Sequence, residues 1–580
     1  MLRPRAVLPV LLSAAVLAGC SGGGGGPDDD LPTAAPDDGS PECPSLEPVR
    51  PTDVEVTGPD PATTAQAVAG VAVRCAETVV VAPADDPALA AVGAPLAAAT
   101  SAPLLLDGDL DAVLGALGGP DVRVLAEEAG TTTSDDVDGG TDDGAGAEPT
   151  DGEAGTDVTA YALQVADELE ADRLVLADRD RPEDLAAAAA LATPGGDAVV
   201  PVAADALPDT GDHDVVAVGT LAEAHPDLAT DEDPWAGLDE PVDAEVVWAV
   251  DPGAPEAASV VTIASLRGDA VLPVPDGDLL ATSTVAAVRD GDLATDRLVP
   301  VGQVSDDPAR DVALLTEAPL LPGGSLRYFE GTRMVAVYGR PGAPSLGALG
   351  EQDLEETLDR VREVAEGYDA DGRQVIPTLE VIVSVATGDP QADESYSNLT
   401  PAEEFRELVD RAGEEDMQVI LDLQPGRTDF LTQARAYEEL LREPHVGLAL
   451  DPEWRLEDDQ VHLEQIGGVE AAEVQEVVDW YAELTRDAGL SQNLLVLHQF
   501  RHDMLRDRDT IEIPPEIAAV VHADGQGEQA LKMETWRALT AEGADRWHWG
   551  WKNFYDEDPV VATPDEVLEL DPEVVLVTYQ

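Results

Sequence analysis

Five carboxylates in the C-terminal part of the chain, Glu380, Asp422, Asp451, Glu453 and Asp524, each stand at or just beyond the end of a short apolar run. Gathered in one mouth, such groups repel one another and separate in pKa, so that one keeps its proton while another stays ionised. That division suits cleavage of a glycosidic bond, in which a carboxylic acid protonates the leaving oxygen and a second carboxylate acts as base or nucleophile. Glu453 is the expected acid, Asp451 its electrostatic partner, and Glu380, Asp422 or Asp524 the opposing carboxylate. Groups able to hold a substrate accompany them: Tyr338, Gln424, Trp454, His498, Gln499, His522, Trp551, Lys552 and Tyr579. Arg340 and Arg427 lie in Gly/Pro loops, where a guanidinium can grip a carboxylate through two hydrogen bonds. In Trp547-His548-Trp549-Gly550-Trp551 the three indoles share one face at period two. That face fits packing under helices as well as sugar stacking, so Lys552 is the better site residue of this run.

Eight apolar runs must position these groups; they begin at Met334, Val375, Val419, Val446, Leu494, Ala518, Arg546 and Val574. Helical patterns fall between them over 354–366, 401–413, 430–442, 471–488 and 528–541. Thr400-Pro401-Ala402-Glu403 reads as a capping box with proline at the first helical position, and Gly413 as the stop of that helix. Eight strands alternating with helices over about 250 residues is the size and order of a (β/α)8 TIM barrel, whose active sites lie where the strands end. The polar tips fall at that end.

Upstream, three related segments follow one another. The first runs from Val79 through Pro87 and an Ala/Leu helix to Ala102-Pro103-Leu104-Leu105-Leu106 and Val122. The second runs from Leu174 through Pro182 to Ala198 and closes at Val215-Val-Ala-Val-Gly219. The third runs from Val246 through Pro252 to Ala270 and closes at Leu298-Val-Pro-Val-Gly302. Apolar runs without alternation, separated by helices, predict parallel strands covered on both faces. Each segment is a strand, helix, strand, strand cycle, and the fold class is α/β: three Rossmann-like repeats followed by the barrel. The segments resemble the type 2 cell-wall-binding repeat, through the Ala-Pro-Leu-Leu-Leu strand of the first and the closing glycines of the other two. The resemblance implies three units around a pseudo-threefold axis, attaching the protein to an envelope polysaccharide. Two features depart from it: the units carry few basic residues, and an acidic low-complexity insert at 127–157 splits the first from the second.

At the N-terminus, Arg3 and Arg5 precede an apolar stretch and Leu17-Ala18-Gly19-Cys20, the layout of a secretory signal peptide. Its end resembles a bacterial lipoprotein cleavage box, which implies cleavage before Cys20, lipidation of that thiol, and a protein tethered to the extracellular face of the cell membrane. The expected division is a signal peptide at 1–19, a tether at 20–61, the repeats at 62–317 and the barrel domain at 318–580. The Gly-, Pro- and Asp-rich tether lacks the apolar surface to order itself. Cys43 and Cys75 are able to pair in an oxidising setting. The net charge of −86 arises from 118 acidic against 32 basic residues, of which only Lys532 and Lys552 are lysines. Such a surface disfavours nucleic acid as a partner and suits a solvating role in a saline habitat.

Asp451-Pro452-Glu453 after the fourth run resembles the strand-four ending of chitinase-type glycoside hydrolases, whose glutamate is the general acid; the resemblance reaches Asp451 and Glu453 alone. His498 and His522, with Asp524 nearby, occupy the places of ligands in amidohydrolase-type barrels, which makes a metal-dependent hydrolase an alternative. The first run ends in Tyr338-Gly339-Arg340 where that family needs His-x-His, so no metal and no cofactor is assigned. No Gly-x-Ser-x-Gly elbow and no phosphate loop is present. The leading expectation is an exported envelope lipoprotein whose barrel binds and hydrolyses a polysaccharide; a non-catalytic envelope scaffold is the other alternative.

Overall fold

The computed structural model describes residues 43–580 apart from 44, 47–48, 50–55, 126–157, 231–233, 236–245, 291–296, 370–371, 463 and 542. The segment expected to be a signal peptide, Cys20, most of the expected tether and the acidic insert lie outside the described residues. A disulfide joins Cys43 to Cys75, with Cα atoms 5.5 Å apart.

Three small parallel sheets repeat one plan. The first contains β1 (Thr78–Ala82), α1 (Pro87–Ala99), β2 (Leu104–Leu106) and β3 (Asp121–Val124). The second contains β4 (Arg173–Asp178), α2 (Pro182–Gly195), β5 (Ala198–Val202) and β6 (Asp214–Ala217). The third contains β7 (Val247–Val250), α3 (Ala257–Arg267), β8 (Ala270–Pro273) and β9 (Leu298–Val301). In each the opening strand is central, flanked by the other two in parallel. Each of α1, α2 and α3 packs against the other two. Their alanine content follows, because helices this closely surrounded leave room only for short side chains; Ala186, Ala188, Ala189 and Ala190 of α2 are all buried. Asp86 starts α1 by accepting from Leu89 N at 3.0 Å, with Pro87 supplying the preset φ of the first turn.

The remainder closes into an eight-stranded parallel barrel: β10 (Thr332–Gly339), β11 (Gln374–Ala386), β12 (Gln418–Leu423), β13 (Val446–Leu450), β14 (Asn493–Gln499), β15 (Ile517–Ala523), β16 (His548–Asn553) and β17 (Val574–Tyr579). Pairing of β10 with both β11 and β17 completes the ring, and the chain order is kept throughout, the topology of a TIM barrel. Outside it lie α4 (Leu354–Ala365), α5 (Arg406–Glu414), α6 (Phe430–Arg435), α7 (Ala471–Asp487) and α8 (Gln529–Leu539).

Three expected helix boundaries differ. The capping box at Thr400 does not form: Pro401 precedes a 3-10 turn over Ala402–Glu404, and the Thr400 hydroxyl accepts from Arg340 Nη2 at 2.8 Å. Gly413 lies inside α5 rather than ending it, and it is a glycine for another reason: a Cβ there would meet the His445 ring at 2.8 Å. The helix expected over 430–442 stops at Arg435; beyond it Tyr437 turns inward and donates to Val383 O and Thr400 O at 2.9 and 2.7 Å.

Alternation along the strands sorts side chains into two layers. Met334, Ala336, Ile376, Ile420, Ala449, Leu494, Val496, Ala518, Val520 and Leu576 fill the interior, while Val335, Val337, Leu379, Val419, Leu421, Leu448, Leu495, Leu497, Trp549 and Val577 pack outward under the helices. Tyr328 and Phe329, on the segment arriving from the repeats, join the interior cluster. Apolar filling of the lower barrel leaves the strand ends as the place where inward positions can be polar.

Candidate functional site at the barrel mouth

At the C-terminal ends of the strands the inward positions turn polar together: Tyr338, Glu380, Asp422, Asp451, His498, His522, Lys552 and Thr578, one from or just beyond each strand in chain order. None is more than 2 % exposed. A ring this dry has to satisfy its charges internally.

Its centre is a chain of ion pairs. His498 Nε2 lies 2.8 Å from Glu380 Oε1 and Nδ1 lies 2.7 Å from Asp524 Oδ2. Thr578 Oγ1 donates to Glu380 Oε2 at 2.8 Å, and Lys552 Nζ approaches Asp524 Oδ1 at 3.1 Å. Burial alone would raise the Glu380 carboxyl and strip the proton from His498. The attraction between them wins, holding Glu380 at about 2 and His498 well above the usual imidazole range. Burial opposes ionisation of Asp524 too, yet Lys552 and His498 hold its carboxyl far below the usual range. Lys552 stays charged against its own burial through these acids, and its ammonium sits 3.7 Å from the centre of the Tyr338 ring.

Three other carboxyls behave oppositely. Burial, reinforced by neighbouring acids, raises Asp422 to about 6, Glu453 to about 7 and Asp451 well above the carboxylate range. Asp422 Oδ2 accepts from the Tyr338 hydroxyl at 2.8 Å, and its Oδ1 has no partner among the described residues. Asp451 Oδ1 accepts from Glu453 N at 3.2 Å, which fixes the short turn carrying Glu453 to a half-buried position at the rim. None of the five acids pairs with an arginine among the described residues. His522 lies beside His498, ring centres 5.0 Å apart, and neither of its nitrogens has a partner among the described residues. Burial drives it to about 3, so it is neutral. Gly550 makes room for it: a Cβ there would stand 2.3 Å from His522 Cδ2.

At the rim, Trp454 packs on His462 at 5.5 Å, His462 meets Tyr396 at 6.3 Å, and Arg427 lies 4.4 Å over the Tyr396 ring while donating to Gln460 O. Gln424 Nε2 reaches to 3.5 Å from the Tyr338 hydroxyl.

The ring thus gathers Tyr338, Glu380, Asp422, Asp451, His498, His522 and Lys552, with Asp524, Glu453 and Gln424 at its edge and Arg427 and Trp454 at the rim. Four expected substrate contacts are not brought to it. Arg340 turns aside to Ile382 O and Thr400 and stacks over Phe405. Gln499 faces outward and accepts from Arg508 at 2.8 Å. Trp551 packs under the helices against Trp536, its Nε1 donating to Asn553. Tyr579 is also outward, hydroxyl to hydroxyl with Tyr368 at 2.8 Å. Sequence reading passed over Thr578, Tyr396 and His462. Period-two alternation from Tyr579 could have found Thr578; the rim residues come from loops that carry no periodic signal.

No protein-family model matches the chain, and no curated protein matches it. Among solved structures the chain is similar to Cwp6 from Clostridium difficile, at 14% identity and a TM-score of 0.36, over 63% of this chain and 62% of that one. It is similar to Cwp8 from Clostridium difficile at 15% identity and a TM-score of 0.32, over 45% and 51%. Dihydropteroate synthase from Xanthomonas albilineans matches 45% of this chain and 93% of its own, at 13% identity and a TM-score of 0.20. The chain therefore spans about three fifths of Cwp6 and half of Cwp8. No residue role is transferred at these identities. Among the described residues no helix is long and apolar enough to cross a membrane.

Proposed function

We propose that the barrel hydrolyses an envelope polysaccharide, and that the repeats, with a lipid on Cys20, hold it at the cell envelope. The observation that supports this reading best is the contrast between two sets of acids in one mouth. Glu380 and Asp524 are neutralised by His498 and Lys552, whereas Asp422, Asp451 and Glu453 have no ion-pair partner among the described residues. Glu453, half-buried at the rim and retaining its proton near neutrality, donates to the leaving oxygen. Asp422 is the opposing carboxylate, because both oxygens of Glu380 and of Asp524 are engaged while Asp422 Oδ1 is not. Asp451, raised by burial, keeps its proton and accepts from Glu453 N, which holds the turn that carries the acid. Trp454, His462 and Tyr396 offer faces for neighbouring sugars.

The test is hydrolysis of a panel of wall polysaccharides by the full chain and by Glu453→Gln. A loss of at least a hundredfold with binding retained supports the assignment. Equal hydrolysis by both proteins removes Glu453 from the acid role, and binding without turnover by the wild type replaces hydrolysis with a carbohydrate-binding scaffold.

A further inference from the structure

We propose that the mouth also holds one divalent transition-metal ion, bound by His498, Asp451, Asp524 and His522. A ligand atom from each of Asp451, His498 and Asp524 lies within 4.8 Å of the others, and all three side chains are buried. Donors around a tetrahedral zinc ion stand about 3.4 Å apart, so small side-chain rotations close the set. Buried acids near a histidine do not make a site by themselves. The independent observation is His522: fully buried, beside His498, with both ring nitrogens unpartnered among the described residues. Its imidazole lies beside the three-residue set rather than within its 4.8 Å span, and turns toward it to serve as fourth ligand.

The surroundings match what orients metal ligands elsewhere. The ring nitrogen of a ligating histidine that faces away from the ion is usually held by a carboxylate, which fixes tautomer and orientation. His498 meets that description: Nδ1 faces Asp524, Nε2 faces Glu380 at 2.8 Å, and Glu380 is itself held by Thr578 at 2.8 Å. The ion takes the place of the proton between His498 Nδ1 and Asp524 Oδ2 and of the proton on Asp451, and both leave to solvent. The two charges of the ion and that of Lys552 then balance Glu380, Asp451 and Asp524. Two imidazoles with two carboxylates select a zinc-like ion over calcium or magnesium, which prefer oxygen alone. Glu453 and Asp422 are not ligands in this arrangement; the two readings share Asp451, and a binding titration, which reads no hydrolysis, tells them apart.

The full chain, stripped with chelator, is titrated with Zn²⁺ by calorimetry in high salt and excess Mg²⁺, which occupy the surface acids. One tight equivalent is expected, weakened at least a hundredfold in Asp451→Asn and in His522→Gln, and about tenfold in Thr578→Val, which touches the ion only through Glu380. Should the variants unfold, wild-type protein loaded with Co²⁺ decides: paramagnetically shifted ring signals from two histidines are expected. Weak binding at many sites only, a tight equivalent retained in both ligand variants, or no shifted histidine signal overturns the site.

Discussion

His498 Nε2 lies 2.8 Å from Glu380 Oε1 inside the barrel, both side chains fully buried and 118 residues apart in the chain. Each offsets the other's desolvation, so removing one leaves an unpaired charge in a dry ring. Glu380→Gln is expected to destabilise the barrel by about 3 kcal/mol or more, read as a fall in the urea midpoint of its unfolding transition. An unchanged midpoint would show the pair to be energetically idle.

Gly550 faces His522 across adjacent strands, and a methyl group there would overlap the imidazole. Gly550→Ala is expected to cost about 1–3 kcal/mol through overpacking. Val520→Ala, which removes volume from the same interior, provides a comparison of opposite sign in packing; the prediction fails if the alanine at 550 is neutral.

The chain's two lysines are both buried, Lys532 at 5 % exposure and Lys552 at 2 %. Lys532 Nζ is paired with Asp558 at 2.5 Å and donates to Lys552 O at 2.8 Å. Neither amine should react with an acylating reagent in the folded protein, and both should react in urea. Mass spectrometry of the two peptides measures this; rapid labelling of Lys552 in the native state would contradict a closed ring.

His462 is shifted downward by burial, its Nε2 facing Tyr396 O at 2.9 Å. Because its folded pKa lies below the unfolded value near 6.5, the stabilisation from the neutral ring is complete above that pH and declines as pH falls below it. Trp454, packed on His462, should report this as a fluorescence change at acid pH that His462→Phe abolishes. A change centred above neutrality would contradict the sign.

Much of the barrel was legible because its signals are local. Each of the eight apolar runs became a strand, and the Asp-Pro-Glu turn after the fourth sits at the mouth. Period-two alternation makes neighbours such as His498 and Gln499, Trp551 and Lys552, or Thr578 and Tyr579 face opposite ways. It did not tell which member of each pair faces the axis, since parity is set by closure of the whole sheet and by the helices laid against it. Arg340 illustrates a second limit, because its long side chain bends from the strand end toward Thr400 and Phe405, contacts made by a distant loop.

The sequence by itself determined the barrel's strands, the repeated α/β units and a set of ionisable residues at strand ends, because periodicity, turn chemistry and apolar runs act over a few neighbouring residues. Only the tertiary structure decided that Glu380 and Asp524 are spent on His498 and Lys552 while Asp422, Asp451 and Glu453 are left without ion-pair partners among the described residues. That choice depends on distances across a closed barrel, and on burial that strengthens every charge interaction within it.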